Sequence, residues 1–286
     1  MPLYLEYYFW LLLISVGILL LERLAPRSRT QEVLRPGFVQ DVFWMVFNLQ
    51  YMSWMLAIAA VHLVGWLNRT FLHVGLPQPD SIGLISTWPY WAQFIVFFVL
   101  KDFLEWNIHR ALHRYSWLWR FHKLHHSVEV FDWAATFRSH WFELVIYKTV
   151  IYLPLVVLGV EPVVIFWILV LSLLISELSH ANLDADWGIL RYVISSPHFH
   201  AWHHDVELHG KHGQNFGTSL VVWDWMFGTA HWPSAQAWPA RLGLGDSGSY
   251  PRGIWARLWD PFRPRTRRRN NSSKADPASQ KPPPQE

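Results

Sequence analysis

The stretch that decides the fold is His109-Arg110-Ala111-Leu112-His113, followed shortly by His122-Lys123-Leu124-His125-His126. A third group, His200-Ala201-Trp202-His203-His204, repeats the HxxHH spacing, and His180 stands alone between them. Long apolar segments flank all of these histidines. Imidazole is costly to bury without a partner and is the commonest neutral metal ligand. On a helix His109 and His113 share a face, and 122, 125, 126 and 200, 203, 204 fall at i, i+3, i+4, again one face each. These groups and His180 offer more nitrogens than one metal takes. The spacing therefore predicts a pair of metals with about four or five ligands each, held by helix ends that cap a membrane bundle. A lone histidine on a helix is ordinarily satisfied or solvent-facing, and His62 and His73 are read that way. That reading does not stretch to two HxxHH groups and one HxxxH in a single apolar chain.

Composition narrows the class. The 286 residues are 52% hydrophobic and include 20 Trp, which excludes a disordered chain and exceeds the usual apolar share of a soluble domain. Cys is absent, so disulfides, thiolate zinc sites and iron–sulfur clusters are excluded, and a metal must be held by His, Asp, Glu, Asn or water. The net charge of +3 is unevenly spread, with Arg263, Arg265, Arg267, Arg268 and Arg269 near the end. Beside membrane segments such a run reads as a cytosolic anchor, not a nucleic-acid arm. The HExxH pattern of zinc proteases is missing, since Arg110 follows His109 and Lys123 follows His122. Zinc has no redox chemistry. Attack on an unactivated C–H bond of a lipid needs a redox metal and O2, and iron is the economical choice.

Hydropathy predicts an all-α integral membrane protein, a bundle of about four to five transmembrane helices under a cytosolic histidine-rich helical cap. The first segment, Leu3 to Leu21, is apolar except for Glu6 and Ser15 and lacks the basic start and small-residue cleavage site of a signal peptide, so it reads as an uncleaved anchor. A second runs from about Val39 to Trp66, broken by Asp41, Asn48, Gln50 and His62. Leu76-Pro77-Gln78-Pro79-Asp80 is loop, and a third segment runs from Trp88 to about Leu104. A fourth and fifth lie between Phe142 and Leu178, divided by the turn Gly159-Val160-Glu161-Pro162. Arg23, Arg27, Arg29 and Arg35 place the first loop in the cytoplasm, and alternation then brings every histidine cluster and the C-terminus to that same face. Four regions follow: membrane helices in 1–94, a catalytic domain in 95–232, a cytosolic segment in 233–263 and a disordered basic, Pro-rich tail in 264–286.

Several polar residues flank the clusters. Asp102 lies seven before His109, on about the same face, where it could orient an imidazole. Glu105 shares that helix end. His140 and Glu143, three apart, could add a ligand or a supporting pair, although a structural or headgroup role fits better. His198, His209 and His212 suit proton handling more than ligation, and most of the Trp residues suit an interfacial belt.

These residues resemble the fatty acid hydroxylase/sterol desaturase superfamily of integral-membrane di-iron oxygenases. The matching pieces are Asp102-Phe103 through His109 and His113, Phe121 through Ser127, Thr136-Phe137-Arg138-Ser139-His140, Ser179 through Leu183, Ser196 through His204, and Asn215-Phe216-Gly217 through Trp223-Asp224 to Phe227-Gly228-Thr229, over about residues 95–231. The resemblance implies a helical membrane bundle whose cap holds two iron ions, with O2 as co-substrate. It carries over His109, His113, His122, His125, His126, His180, His200, His203 and His204 as ligands. Some members have a second histidine just after the position of His180, where this chain has Asn182 and Asp184. Trp141-Phe142 replaces the His-Pro start usual after the arginine-containing segment. Asn215 and Asp224 would shape the cap. The reaction implied is hydroxylation or desaturation of a lipid, with sterol, fatty acyl chain, carotenoid and alkyl glycerol ether all open as substrates. The chain has no His-Pro-Gly-Gly haem motif, so the electrons are expected from a separate ferredoxin or cytochrome b5-like donor with its reductase. The competing readings are a non-enzymatic metal-binding or metal-transporting membrane protein and a zinc hydrolase. A transporter would place its ionisable groups at mid-span and not at span ends.

Overall fold

The computed structural model describes residues 6–264 except 186, 235, 236 and 246. The expected tail after Pro264 lies outside the described residues. The regular elements are helical. Helix α1 is Tyr7–Leu24, and α2, Phe38–Val46, continues through a π-helical turn, Phe47–Met52, into α3, Ser53–His73. Helix α4 is Tyr90–Arg114, α6 is Trp141–Leu158 and α7 is Pro162–His180. The short helices are α5 (Ser116–His122), α8 (Pro197–His203), α9 (Val222–Phe227) and α10 (Ile254–Trp259).

Four of these helical runs are long and apolar enough to cross a membrane: Tyr7–Leu24, Phe38–His73, Trp141–Leu158 and Pro162–His180. The third expected segment does not join them. Its residues form the first part of α4, a 25-residue helix whose apolar opening passes into Lys101, Asp102 and Glu105. Lys101 Nζ donates to Glu105 at 2.7 Å and to Ser172 Oγ of α7 at 3.1 Å. The element therefore runs through the bundle with its polar groups turned to neighbouring helices and not to lipid.

The two ends of the bundle differ. At one end the Gly83–Ile85 segment meets the α6–α7 turn: Leu84 N–H donates to Val157 O and Ile85 N–H to Leu158 O. Gly159 ends α6 in the left-handed region, and a Cβ there would lie 2.7 Å from the Gly83 Cα, so only glycine fits. At the other end sit the last turn of α1, the first turn of α2, the C-termini of α4 and α7, and all the short helices. The core packs α1 on α7 through Ile14, Ile18, Val170 and Leu173, and α4 on α7 through Phe97, Phe98, Val164 and Ile168. No residue of α3 is buried, and its outward apolar side chains are of the kind a bilayer covers.

A buried charge network fastens the first two helices to the cap. Arg35 pairs with Asp41 at 2.7 Å and with Asp132, while Arg138 grips both carboxylate oxygens of Asp41 and donates to Ser127 O at 3.0 Å. Glu22, at the end of α1, accepts from the backbone N–H of Trp133 and Asn182 at 2.9 and 2.8 Å. Arg35 is only 3% exposed, so it is a structural cation neutralised by two aspartates and carries less of the loop's orienting charge than Arg23, Arg27 and Arg29.

Candidate metal centre

The cap gathers nine imidazoles into two adjoining groups. His109, His113, His122, His126 and His203 form one, and His125, His180, His200 and His204 the other, with one ring nitrogen from each member within 4.8 Å of the rest of its group. Each HxxHH motif divides between the groups. Helix α5 stops at His122, so His125 and His126 sit on a following 3-10 turn and diverge, His126 joining His122. His200 of α8 goes together with His204, the residue that caps its C-terminus, and His203 joins the other group. The expectation that each HxxHH presents one shared face thus gives way to alternation between two sites.

Ring tautomers are set by the surroundings. His109 Nδ1 lies 2.8 Å from Phe216 O, His203 Nδ1 2.8 Å from Gln214 O, His180 Nδ1 2.9 Å from Ser176 O, His125 Nδ1 3.3 Å from Arg138 O and His122 Nδ1 3.0 Å from a Glu143 carboxylate oxygen. Each partner is an acceptor, so Nδ1 carries the proton and donates, and Nε2 is left as a lone pair. In the His109–His122 and His125–His180 pairs both tautomers are set this way, so two lone pairs face one another. His109 and His122 approach Nε2 to Nε2 at 3.0 Å, and His126 Nε2 is 3.1 Å from His113 and 3.0 Å from His203. In the second group the separations are 3.4 Å for His125–His180, 3.1 Å for His180–His200 and 3.1 Å for His125–His204. Two lone pairs this close repel unless a cation lies between them. Two nitrogens bound at about 2.1 Å and at right angles on one ion would be about 3.0 Å apart. The donor set fits two metal ions.

Electrostatics keep the rings available. Burial pushes the imidazoles of His113, His126, His200, His203 and His204 well below their ordinary range, and neighbouring imidazoles push in the same direction. Burial also holds His122 and His125 well down. The neutral form is the one that ligates.

Residues 94–229 match the fatty acid hydroxylase family. The chain carries a fatty acid hydroxylase domain. The matched residues contain all nine imidazoles. Ornithine lipid hydroxylase OlsE of Rhizobium tropici is 34% identical over 175 residues, covering 61% of this chain and 52% of that protein. Very-long-chain aldehyde decarbonylase GL1-10 of Oryza sativa subsp. japonica is 26% identical over 226 residues, covering 76% and 71%. Methylsterol monooxygenase 1-2 of Arabidopsis thaliana is 24% identical over 182 residues, covering 61% and 57%. The chain thus spans about half the length of the ornithine lipid hydroxylase it matches. No solved structure matches it. With four helical runs able to cross a bilayer, the hydroxylase-domain protein is an integral membrane protein.

The remaining polar residues singled out in the sequence hold the cap together and lie outside both imidazole groups. Asp102 accepts from the N–H groups of Ser219 and Leu220 and from Trp223 Nε1, fixing the loop before α9. Asp224 accepts from Trp106 Nε1 and from Phe216 and Gly217 N–H, so it sets the turn whose Phe216 carbonyl receives His109. Asn215, left-handed at φ 56°, bonds Phe199 O and His231 O. His140 is the N-cap of α6: its Nδ1 accepts from Phe142 N–H at 3.1 Å and its Nε2 donates to Leu258 O at 3.0 Å. Asn182 ties the Ser28 backbone, and Asp184 pairs at the surface with Arg27. His209 pairs with Asp205, and His198 meets Trp232 edge to face. Glu143, which the sequence grouped with His140, is the carboxylate that reaches an imidazole, His122. The backbone acceptors at Ser176, Gln214 and Phe216 carry no side-chain signal and were invisible in the sequence.

Proposed function

We propose that this chain is a di-iron, O2-dependent oxidoreductase that hydroxylates or desaturates a membrane lipid of sterol or fatty acyl type. The observation that carries this reading is the facing of Nε2 lone pairs at 3.0–3.4 Å in two buried groups, with Nδ1 protons fixed by outward acceptors. His109, His113, His122, His126 and His203 would hold one ion and His125, His180, His200 and His204 the other. Iron would supply the redox and O2 chemistry that an unactivated C–H bond requires. The chain's own groups do the rest. Glu143 and the carbonyls of Phe216, Gln214, Ser176 and Arg138 orient the rings, and the buried cap keeps bulk water from them. The ornithine lipid hydroxylase and methylsterol monooxygenase among the relatives support a lipid substrate.

The cap is assigned to the cytosol. Among the described residues Arg69 is the one Arg or Lys near the opposite end, whereas Arg23, Arg27, Arg29, Arg110, Arg114 and Arg120 lie at the cap end. Reducing equivalents would come from a separate ferredoxin or cytochrome b5-like donor with its reductase.

Metal analysis of the purified chain together with lipid mass spectrometry of a deletion strain tests this. Two irons per chain are expected, with a lipid product that wild type restores and His125→Ala does not. Protein that binds no iron, or a lipid profile indifferent to His125→Ala, overturns the reading.

A further inference from the structure

Beside His113 the cap opens into a cleft of about 490 Å3. Arg110 and Arg114 enter it from the end of α4, Lys211 and His212 from the loop after α8, and His209 and His231 as rings stacked 3.9 Å apart. Among the described residues no Asp or Glu lines it. Another cavity of the cap, about 540 Å3, mixes Arg27 and Arg241 with Glu129. A lining free of carboxylates is therefore a property of this cleft and not of the cap at large. Asp205, outside the lining, accepts from His209 at 2.7 Å and offsets one edge of the charge.

The cleft also lies close to His113, the half-buried member of the imidazole assembly, with Gly213 between them. Gly213 is among its lining residues, at φ +109°, and a Cβ there would lie 3.3 Å from His113 Nδ1. Of the nine imidazoles, His113 is half-buried and the other eight are buried. A molecule seated on this surface is separated from the candidate metal group by a glycine backbone and one ring.

We propose that this cleft is the docking site for an acidic one-electron carrier protein that reduces the metal centre. The inference rests on the oxygenase reading above. Forming an alcohol from a C–H bond and O2 puts one oxygen atom in the product and leaves the other to become water. Reducing that second atom takes two electrons and two protons from outside the lipid, and a one-electron carrier delivers the electrons singly, becoming oxidised as the centre is reduced. Such a partner needs charge complementarity for fast, weak association and a short path to the metals. The cleft offers both in one place. An anionic lipid headgroup would account for the charge and not for the closeness to His113.

The test uses the full-length metal-loaded chain in nanodiscs and an acidic plant-type [2Fe–2S] ferredoxin as probe. Arg114→Glu/Lys211→Glu reverses two exposed rim charges, and Arg241→Glu, in the other cavity, is the control. Ferredoxin affinity is measured at low and high salt, and its oxidation by the chain by stopped flow. The double variant and high salt should each weaken binding about tenfold or more and slow electron delivery in proportion. Iron content and reduction by dithionite should stay unchanged, and Arg241→Glu should match wild type. Equal affinity in the double variant, or an equal loss in Arg241→Glu, overturns the docking site. So does a defect that follows the anionic lipid content of the nanodisc with ferredoxin binding intact, which would assign the cleft to a headgroup. Wild-type chain that holds no iron would instead sink the oxygenase reading, while the binding comparison still judges the surface.

Discussion

Glu143 shows at the scale of one residue what spacing conveys and what it does not. It stands three after His140, so a helical wheel pairs them. His140, however, is the extended N-cap outside α6, and the two side chains part, Glu143 toward His122 and His140 toward Leu258. The periodicity of a helix holds only inside it. Glu143→Ala removes the acceptor that fixes the His122 tautomer and should weaken metal retention about 10–100-fold in a chelator competition. Retention equal to wild type would remove Glu143 from the site. His140 predicts a pH effect. Its Nδ1 caps α6 only while it is neutral, and burial holds its pKa below the ordinary 6.5. Below that pH the unfolded chain takes up a proton that the folded chain resists, so this contribution is present above about 6.5 and is lost as pH falls. His140→Asn keeps a capping oxygen that does not titrate, and His140→Ala should cost about 1 kcal/mol near neutral pH. Thermal midpoints between pH 7.5 and 5.5 should therefore fall more steeply for wild type than for His140→Asn, and parallel slopes would discard the cap as the titrating feature.

Among the elements, the boundaries of short helices decide which histidines meet. That His109, His113 and the two HxxHH groups converge was legible in the sequence, because so many imidazoles beside apolar segments stay buried and neutral only by sharing a metal. The assignment to two groups was not, because it depends on α5 ending at His122 and α8 at His203. The packing that sets those ends is long-range. Arg138 bridges it: its guanidinium binds Asp41 of α2 and Ser127 O, and its carbonyl receives His125. Asp41→Ala would leave Arg35 and Arg138 buried with one carboxylate, Asp132, between them. A broken buried pair costs about 3–5 kcal/mol. The midpoint of thermal unfolding should drop accordingly, and metal should be lost first from the group containing His125, His180, His200 and His204. A variant with wild-type unfolding would mean that the network contributes no net stability.

For the whole molecule, the apolar runs read from the sequence recur as four candidate spans, while α4 departs from the hydropathy reading because its second half is polar and faces other helices. Alternating runs and an uneven distribution of arginine gave one end of the bundle to the cytosol, and the structure gathers at that end every helix terminus that carries an imidazole of the two groups. The absence of cysteine makes that orientation directly testable, since any thiol introduced is the only one in the sequence. Ser81 is exposed in the loop between α3 and α4, at the end away from the cap, and Glu207 is exposed in the cap loop after α8. Both positions tolerate a small side chain at the surface. A membrane-impermeant maleimide added to intact cells should label Ser81→Cys and leave Glu207→Cys unmodified until the membrane is opened. The crossing pattern is the same whichever way the bundle is inserted, so the labelling reads orientation alone. The reverse pattern would place the imidazole cap and the basic cleft on the outer face, beyond the reach of a cytosolic electron carrier, and would defeat the assigned orientation.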